Sequence, residues 1–129
     1  MRRRIEVDGP VDVATAWSRY ADLSVWPRWS PQIRAVDADG THLVPGLHGL
    51  VRGPLGTAVP FRVDHVDEAD LSWSWTVALA GLDIRMRHDL REHDGGTTSG
   101  LTMDAPPVVA LTYGPPARVA LRRLCRREI

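Results

Sequence analysis

Residues 71–92 constrain this chain more than any other stretch. Leu71-Ser72-Trp73-Ser74-Trp75-Thr76-Val77-Ala78-Leu79 alternates large apolar residues with polar or small ones, and Leu82-Asp83-Ile84-Arg85-Met86-Arg87-His88-Asp89-Leu90 alternates again after a turn at Ala80-Gly81. Strand side chains point to opposite faces with a period of two. The first strand therefore puts Leu71, Trp73, Trp75, Val77 and Leu79 on one side, and the second adds Leu82, Ile84, Met86, His88 and Leu90 to it. Arg85, Arg87, Asp89 and Arg91 face water. The result is a broad aromatic and aliphatic surface interrupted by one imidazole, which either a core or a ligand has to cover.

At 129 residues the chain is long enough for one domain, spanning 1–129, with a core that needs no disulfide staples. Sixteen acids balance sixteen bases, so net charge gives no reason to expect nucleic acid as a partner. No apolar run approaches the roughly 20 residues of a membrane span. The basic N-terminus lacks the apolar segment of a signal peptide, and Cys125 has no second cysteine to pair with, so a cytoplasmic protein is expected. Every base is an arginine. Without lysine there is no Schiff-base chemistry and no lysine-dependent phosphate loop.

Arg3 to Asp8 reads as a strand that Gly9-Pro10 ends, with Pro10 suited to a first helical turn. Val13, Trp17, Tyr20 and Ala21 then recur at helical spacing. Two prolines limit Val25–Pro31 to a turn or two of helix. Gln32–Asp37 is expected as a strand, Asp39-Gly40 as a hairpin turn, and Leu43–Val51 as a strand interrupted by Pro45-Gly46 and Gly49. Thr57–Val66 places Val59, Phe61 and Val63 on one face, with His65 beside them unless a bulge near Val66 flips it. Asp94-Gly95-Gly96 turns into a strand from Thr97 to Asp104. Beyond Pro106-Pro107 the spacing is helical to the end, where Ile129 falls within the expected helix, and Gly114-Pro115-Pro116 must kink or split it.

Strand, helix, about six antiparallel strands, helix is an α+β order. It asks for a curved sheet of six to seven strands wrapped around a C-terminal helix. Trp26-Pro27-Arg28-Trp29-Ser30-Pro31-Gln32-Ile33, Leu43-Val44-Pro45-Gly46 with Arg52-Gly53, Trp73-Ser74-Trp75 and the closing Leu121-Arg122-Arg123-Leu124 resemble the polyketide cyclase/dehydrase-like branch of the START-like, or SRPBCC, superfamily. The resemblance spans essentially the whole chain. It implies a helix-grip (START/Bet v 1-like) fold with a long C-terminal helix and a cavity between sheet and helix for a hydrophobic small molecule. Only some such folds catalyse a reaction.

His88 stands out as a cavity residue, either a hydrogen-bond donor to a ligand carbonyl or a general acid or base. Its structural alternative is an imidazole satisfied by the protein itself. Trp73, Trp75 and Phe61 form either a ligand wall or plain core. Trp26 and Trp29 flank the segment that would sit at a cavity mouth in this fold, or simply pack it onto the sheet. Met86 and Met103 offer adaptable surface, and Tyr113 lies just before the proline break, within reach of the cavity. No histidine pair has metal-ligand spacing on one face, so no metal and no cofactor are expected. Cys125 among arginines is either a thiol of lowered pKa or a small packing residue. The arginines at 122, 123, 126 and 127 lie on an exposed helix stripe, solvated or, with Arg2-Arg3-Arg4, a basic patch. Three functions remain open. They are binding of a lipid, fatty-acyl or polyketide-like ligand by a monomer or weak homodimer, a cyclase or dehydratase using His88, and a ligand-free interaction module.

Overall fold

A computed structural model describes every residue from Met1 to Ile129. Strand β1 (Arg2–Gly9) leads into helices α1 (Val13–Ala21) and α2 (Trp26–Trp29), with a single 3-10 turn between them. Six strands follow: β2 (Ala35–Ala38), β3 (His48–Arg52), β4 (Ala58–Asp67), β5 (Ser72–Leu79), β6 (Leu82–His93) and β7 (Gly96–Asp104). Helices α3 (Pro107–Thr112) and α4 (Gly114–Leu124) come last. All seven strands join one antiparallel sheet in the order β1-β7-β6-β5-β4-β3-β2. The chain is an α+β helix-grip fold.

The alternation at 71–92 is realised as the β5–β6 hairpin. Trp73 pairs with His88 and Trp75 with Met86, and all four are buried on the concave face. Ala80 (φ 53°) and Gly81 (φ 77°) both take the positive φ that a two-residue turn needs to match strand twist. On the other face Arg4 and Arg87 both pair with Asp89, and Arg91 pairs with Glu6, a charged lattice that keeps that face in water. Helix α1 starts at Val13, after Pro10, because the Asp12 carboxylate accepts from the Thr15 amide and caps it.

Several expectations need correction. Leu79 and Leu82 share the inward parity but sit exposed at the hairpin tip, beyond the reach of the helices. His65 is exposed because the β4–β5 register shifts between Val63 and His65 and turns its side chain outward. The strand expected at Gln32–Asp37 runs instead from Ala35 to Ala38. Asp39-Gly40 opens a long loop, not a tight hairpin: Gly46 (φ 85°) after Pro45 prevents extension, and Leu43 and Leu47 drop into the core.

The long C-terminal helix is two helices, with Pro115 and Pro116 in the first turn of α4, where a missing N–H breaks no helical bond. It ends at Leu124, well before Ile129. The buried Arg19 guanidinium explains the stop, because it donates to the carbonyls of Leu124 (2.7 Å), Arg126 and Arg127 (3.0 Å). Arg126 and Arg127 therefore lie off the helix. At the other end of the chain Arg3 donates to the Ala110 and Leu111 carbonyls and Arg4 pairs with Asp89. Burial of Cys125 raises its thiol pKa, which makes it a packing residue in place of a reactive thiolate.

Three carbonyls depend on one buried cation, and that is testable. Arg19→Met should cost about 2–3 kcal/mol of stability, the penalty of leaving buried acceptors unsatisfied. A urea midpoint that falls at constant m-value measures it.

Candidate functional site

The concave face is filled at one end and hollow at the other. At the filled end Tyr20, Trp26, Trp29, Phe61 and Trp73 pack ring against ring, with centroids 5.4 to 6.2 Å apart and mostly edge to face. The indole N–H groups of Trp26 and Trp29 donate to the backbone carbonyls of Tyr20 (2.9 Å) and Arg19 (3.1 Å), which fixes α2 against α1. Along β5 the cover thins: Trp73 is 1% exposed, Trp75 8%, Val77 9% and Leu79 41%.

A cavity of about 260 Å3 occupies the thin region, between the sheet and helices α3 and α4. Trp29, Trp75, Met86, His88, Met103 and Tyr113 all border it. Trp26, Phe61 and Trp73 do not, since they belong to the sealed cluster behind it. From α4 the wall takes the small Ala117 and Ala120 together with Leu121, and from the sheet the long side chains of Met86 and Met103. Its mouth lies where Gly53-Pro54, Thr57, Leu79 and Val109 meet. Leu55 stands fully exposed there with φ 60°, a backbone region that a branched side chain rarely adopts.

No charged side chain borders this cavity. Besides Ser30 and Thr57, two sets of polar groups lie along its wall. Gln32 donates to the Tyr113 hydroxyl (2.9 Å), which leaves Gln32 Oε1 without a partner. Deeper in, His88 Nδ1 meets the Tyr20 hydroxyl at 3.2 Å and its ring stacks on Trp73 at 4.5 Å. His88 Nε2 and Trp75 Nε1 have no partner in the protein. Burial pushes the His88 pKa down to about 3, opposed only by the nearby Asp89 charge, so the imidazole is neutral at physiological pH. Burial likewise raises the Tyr20 and Tyr113 hydroxyls.

Sequence reasoning passed over Tyr20 and Gln32. Tyr20 registered only as one apolar position of an amphipathic helix, and its pairing with His88 spans 68 residues. Gln32 is the only side-chain amide in the chain, which was a signal in itself. No group of three or more His, Cys, Asp or Glu side chains is placed to hold a metal ion. No helix is long and apolar enough to cross a membrane.

A family model described as "Polyketide cyclase / dehydrase and lipid transport" matches residues 1–129. The chain belongs to this family. Solved structures support the fold that the family implies. The chain is similar to protein MLL2253 from Mesorhizobium loti, with a TM-score of 0.81 at 13% identity over 96% of this chain and 93% of that one. It is also similar to Ara h 8.0201, with a TM-score of 0.75 at 18% identity over 96% and 94%. CalU16 from Micromonospora echinospora gives 0.76 at 18% identity over 96% and 71%. No curated protein matches the sequence. At these identities the likeness is one of fold, and these structures lend this chain an architecture without a ligand.

The buried imidazole ties the site to stability. Unfolded, His88 binds a proton below its ordinary value near 6.5, whereas folded it does so only near 3. The unfolded state therefore carries the extra proton between those values, and the stability present above pH 6.5 is lost as pH falls toward 3. The loss is on the order of 1.4 kcal/mol per pH unit across the window. His88→Phe, which preserves ring packing on Trp73, should flatten this part of the acid-unfolding curve relative to wild type, as followed by circular dichroism.

Proposed function

We propose that this protein binds a hydrophobic small molecule, of a lipid, fatty-acyl or polyketide-like kind, in the cavity between the sheet and helices α3 and α4. The observation that carries the reading is the space itself: about 260 Å3, walled by apolar side chains, free of charge, and opening between two loops and a helix. Membership of a family described by cyclase, dehydrase and lipid-transport activities supports it. Trp29, Trp75, Met86, His88, Met103 and Tyr113 are the proposed contact residues. The protein acts in the cytoplasm as a monomer or weak homodimer in this reading.

Binding is favoured over catalysis by the state of His88. A cyclase or dehydratase would need that imidazole to take up and release a proton near neutral pH. Its depressed pKa keeps it neutral, and no second acid–base side chain borders the cavity with it apart from Tyr113, whose own pKa burial raises.

Native mass spectrometry of gently purified protein tests the reading. Wild type should carry or take up an apolar ligand. Ala120→Phe should abolish that uptake while leaving the fold intact, because the new ring occupies space that is already vacant. Uptake by Ala120→Phe equal to wild type would sink the proposed location.

A further inference from the structure

The cavity is bounded on three sides by parts of the fold that resist displacement, so its size selects among the ligands a binding site there could serve. Its inner end is closed by the interlocked rings of Tyr20, Trp26 and Trp73, all fully buried. Its floor is the sheet itself, where Trp75, Met86 and Met103 stand side by side as register partners on β5, β6 and β7. Its roof is α3 and α4, and an arginine holds each of them. Arg19 donates to the Leu124 carbonyl at the end of α4 (2.7 Å), and Arg3 on β1 donates to the Ala110 (2.8 Å) and Leu111 (3.2 Å) carbonyls of α3. Arg3 also lies against the joint between the two helices, since a Cβ on Gly114 would come within 2.7 Å of its guanidinium. Lifting either helix to admit a larger guest breaks charge-assisted hydrogen bonds, which are about twice as strong as neutral ones. The resting volume of about 260 Å3 is therefore the working volume.

That volume sets an upper size. An engineered apolar cavity of about 150 Å3 holds benzene, so by proportion the space here takes about ten non-hydrogen atoms. A hexadecanoyl chain exceeds this by more than half, and the surplus would stand in water outside the mouth. The mouth is also a polar end. Gln32 and Thr57 meet there at Gly53, where an added Cβ would come 2.6 Å from Thr57 Oγ1 and 3.4 Å from the Gln32 carbonyl oxygen. Farther in, Ile84, Met86, Leu101, Met103 and Leu121 offer dispersion contacts and no counter-charge, so a charge buried among them would keep its desolvation penalty.

On the reading that the cavity is a binding site, we infer that its ligand is a compact, uncharged molecule whose apolar body has about ten non-hydrogen atoms. Molecules the size of a monoterpene or a short alkylphenol fall within this class. Long-chain lipids and extended acyl or polyketide chains fall outside it.

A homologous series from 1-butanol to 1-dodecanol, titrated into the full chain by NMR, reads the limit. Labelled methionine methyl groups report on place as well as affinity, because Met86 and Met103 border the cavity and Met1, the third methionine, does not. Each added methylene should tighten binding about fourfold while there is apolar space to fill. The gain should stop near 1-nonanol, and in any case between 1-heptanol and 1-undecanol, with saturable shifts at Met86 and Met103 and none at Met1. Met103→Ala removes Cγ, Sδ and Cε from the wall and should move the stop about two carbons further, read at Met86. If that variant does not fold, Met86→Ala, read at Met103, takes its place. A gain that continues through 1-dodecanol, a stop at 1-hexanol or shorter, or a stop that the methionine variant leaves unmoved overturns the size limit while leaving the cavity a binding site. Shifts at Met1 alone, or binding of no alcohol in the series, overturn the binding reading itself and this inference with it.

Discussion

The concave face of the sheet is wider than four short helices can cover, and the aromatic cluster around Trp26 decides which part of it is sealed. Trp26 touches the rings of Trp29, Phe61, Trp73 and Trp75 at once, so it joins α2 to strands β4 and β5. Each buried aromatic removes about 150–250 Å2 from water, at about 25 cal/mol for each Å2 of apolar surface. At the other end no such cluster of rings forms, and α4 lends Ala117, Ala120 and Leu121 to the cavity wall. The hollow is thus the remainder left by a strongly packed neighbour, and it stays open because that neighbour is too rigidly interlocked to spread into it.

Local patterns carried most of the architecture. The period-two alternation at 71–92 predicts the β5–β6 hairpin and its burial pattern, and Ala80-Gly81 marks its turn correctly. The proline pair at 115–116 foretells the division of the C-terminal helix. Failure came where a distant group overrides a local preference. Leu43–Leu47 has strand composition, yet it leaves the sheet to bury two leucines. The helical spacing of the last residues continues past Leu124, yet a guanidinium from α1 claims the carbonyls that a further turn would have used.

The site was less legible than the fold, for the same reason. Strand parity brings His88, Trp75 and Met86 to one face, but parity cannot tell a residue that borders a void from one buried against a neighbour. Trp73 and Trp75 differ by two positions and share a face, yet one is packed beneath Tyr20 and Trp26 while the other meets open space. That difference depends on the size of Ala117 and Ala120, some forty residues further along the chain. The hydrogen-bond partner of His88 Nδ1 is Tyr20, which no spacing rule connects to it.

The Arg19 anchor has a mechanical meaning as well as an energetic one. It grips α4 at its C-terminal end. The other end is held as well, because Arg3 donates to the Ala110 and Leu111 carbonyls of α3. Two arginines from the first twenty residues thus clamp the C-terminal helices over the sheet, one at each end, and the Gln32–Tyr113 hydrogen bond lies at the α3–α4 joint, in the polar corner of the cavity.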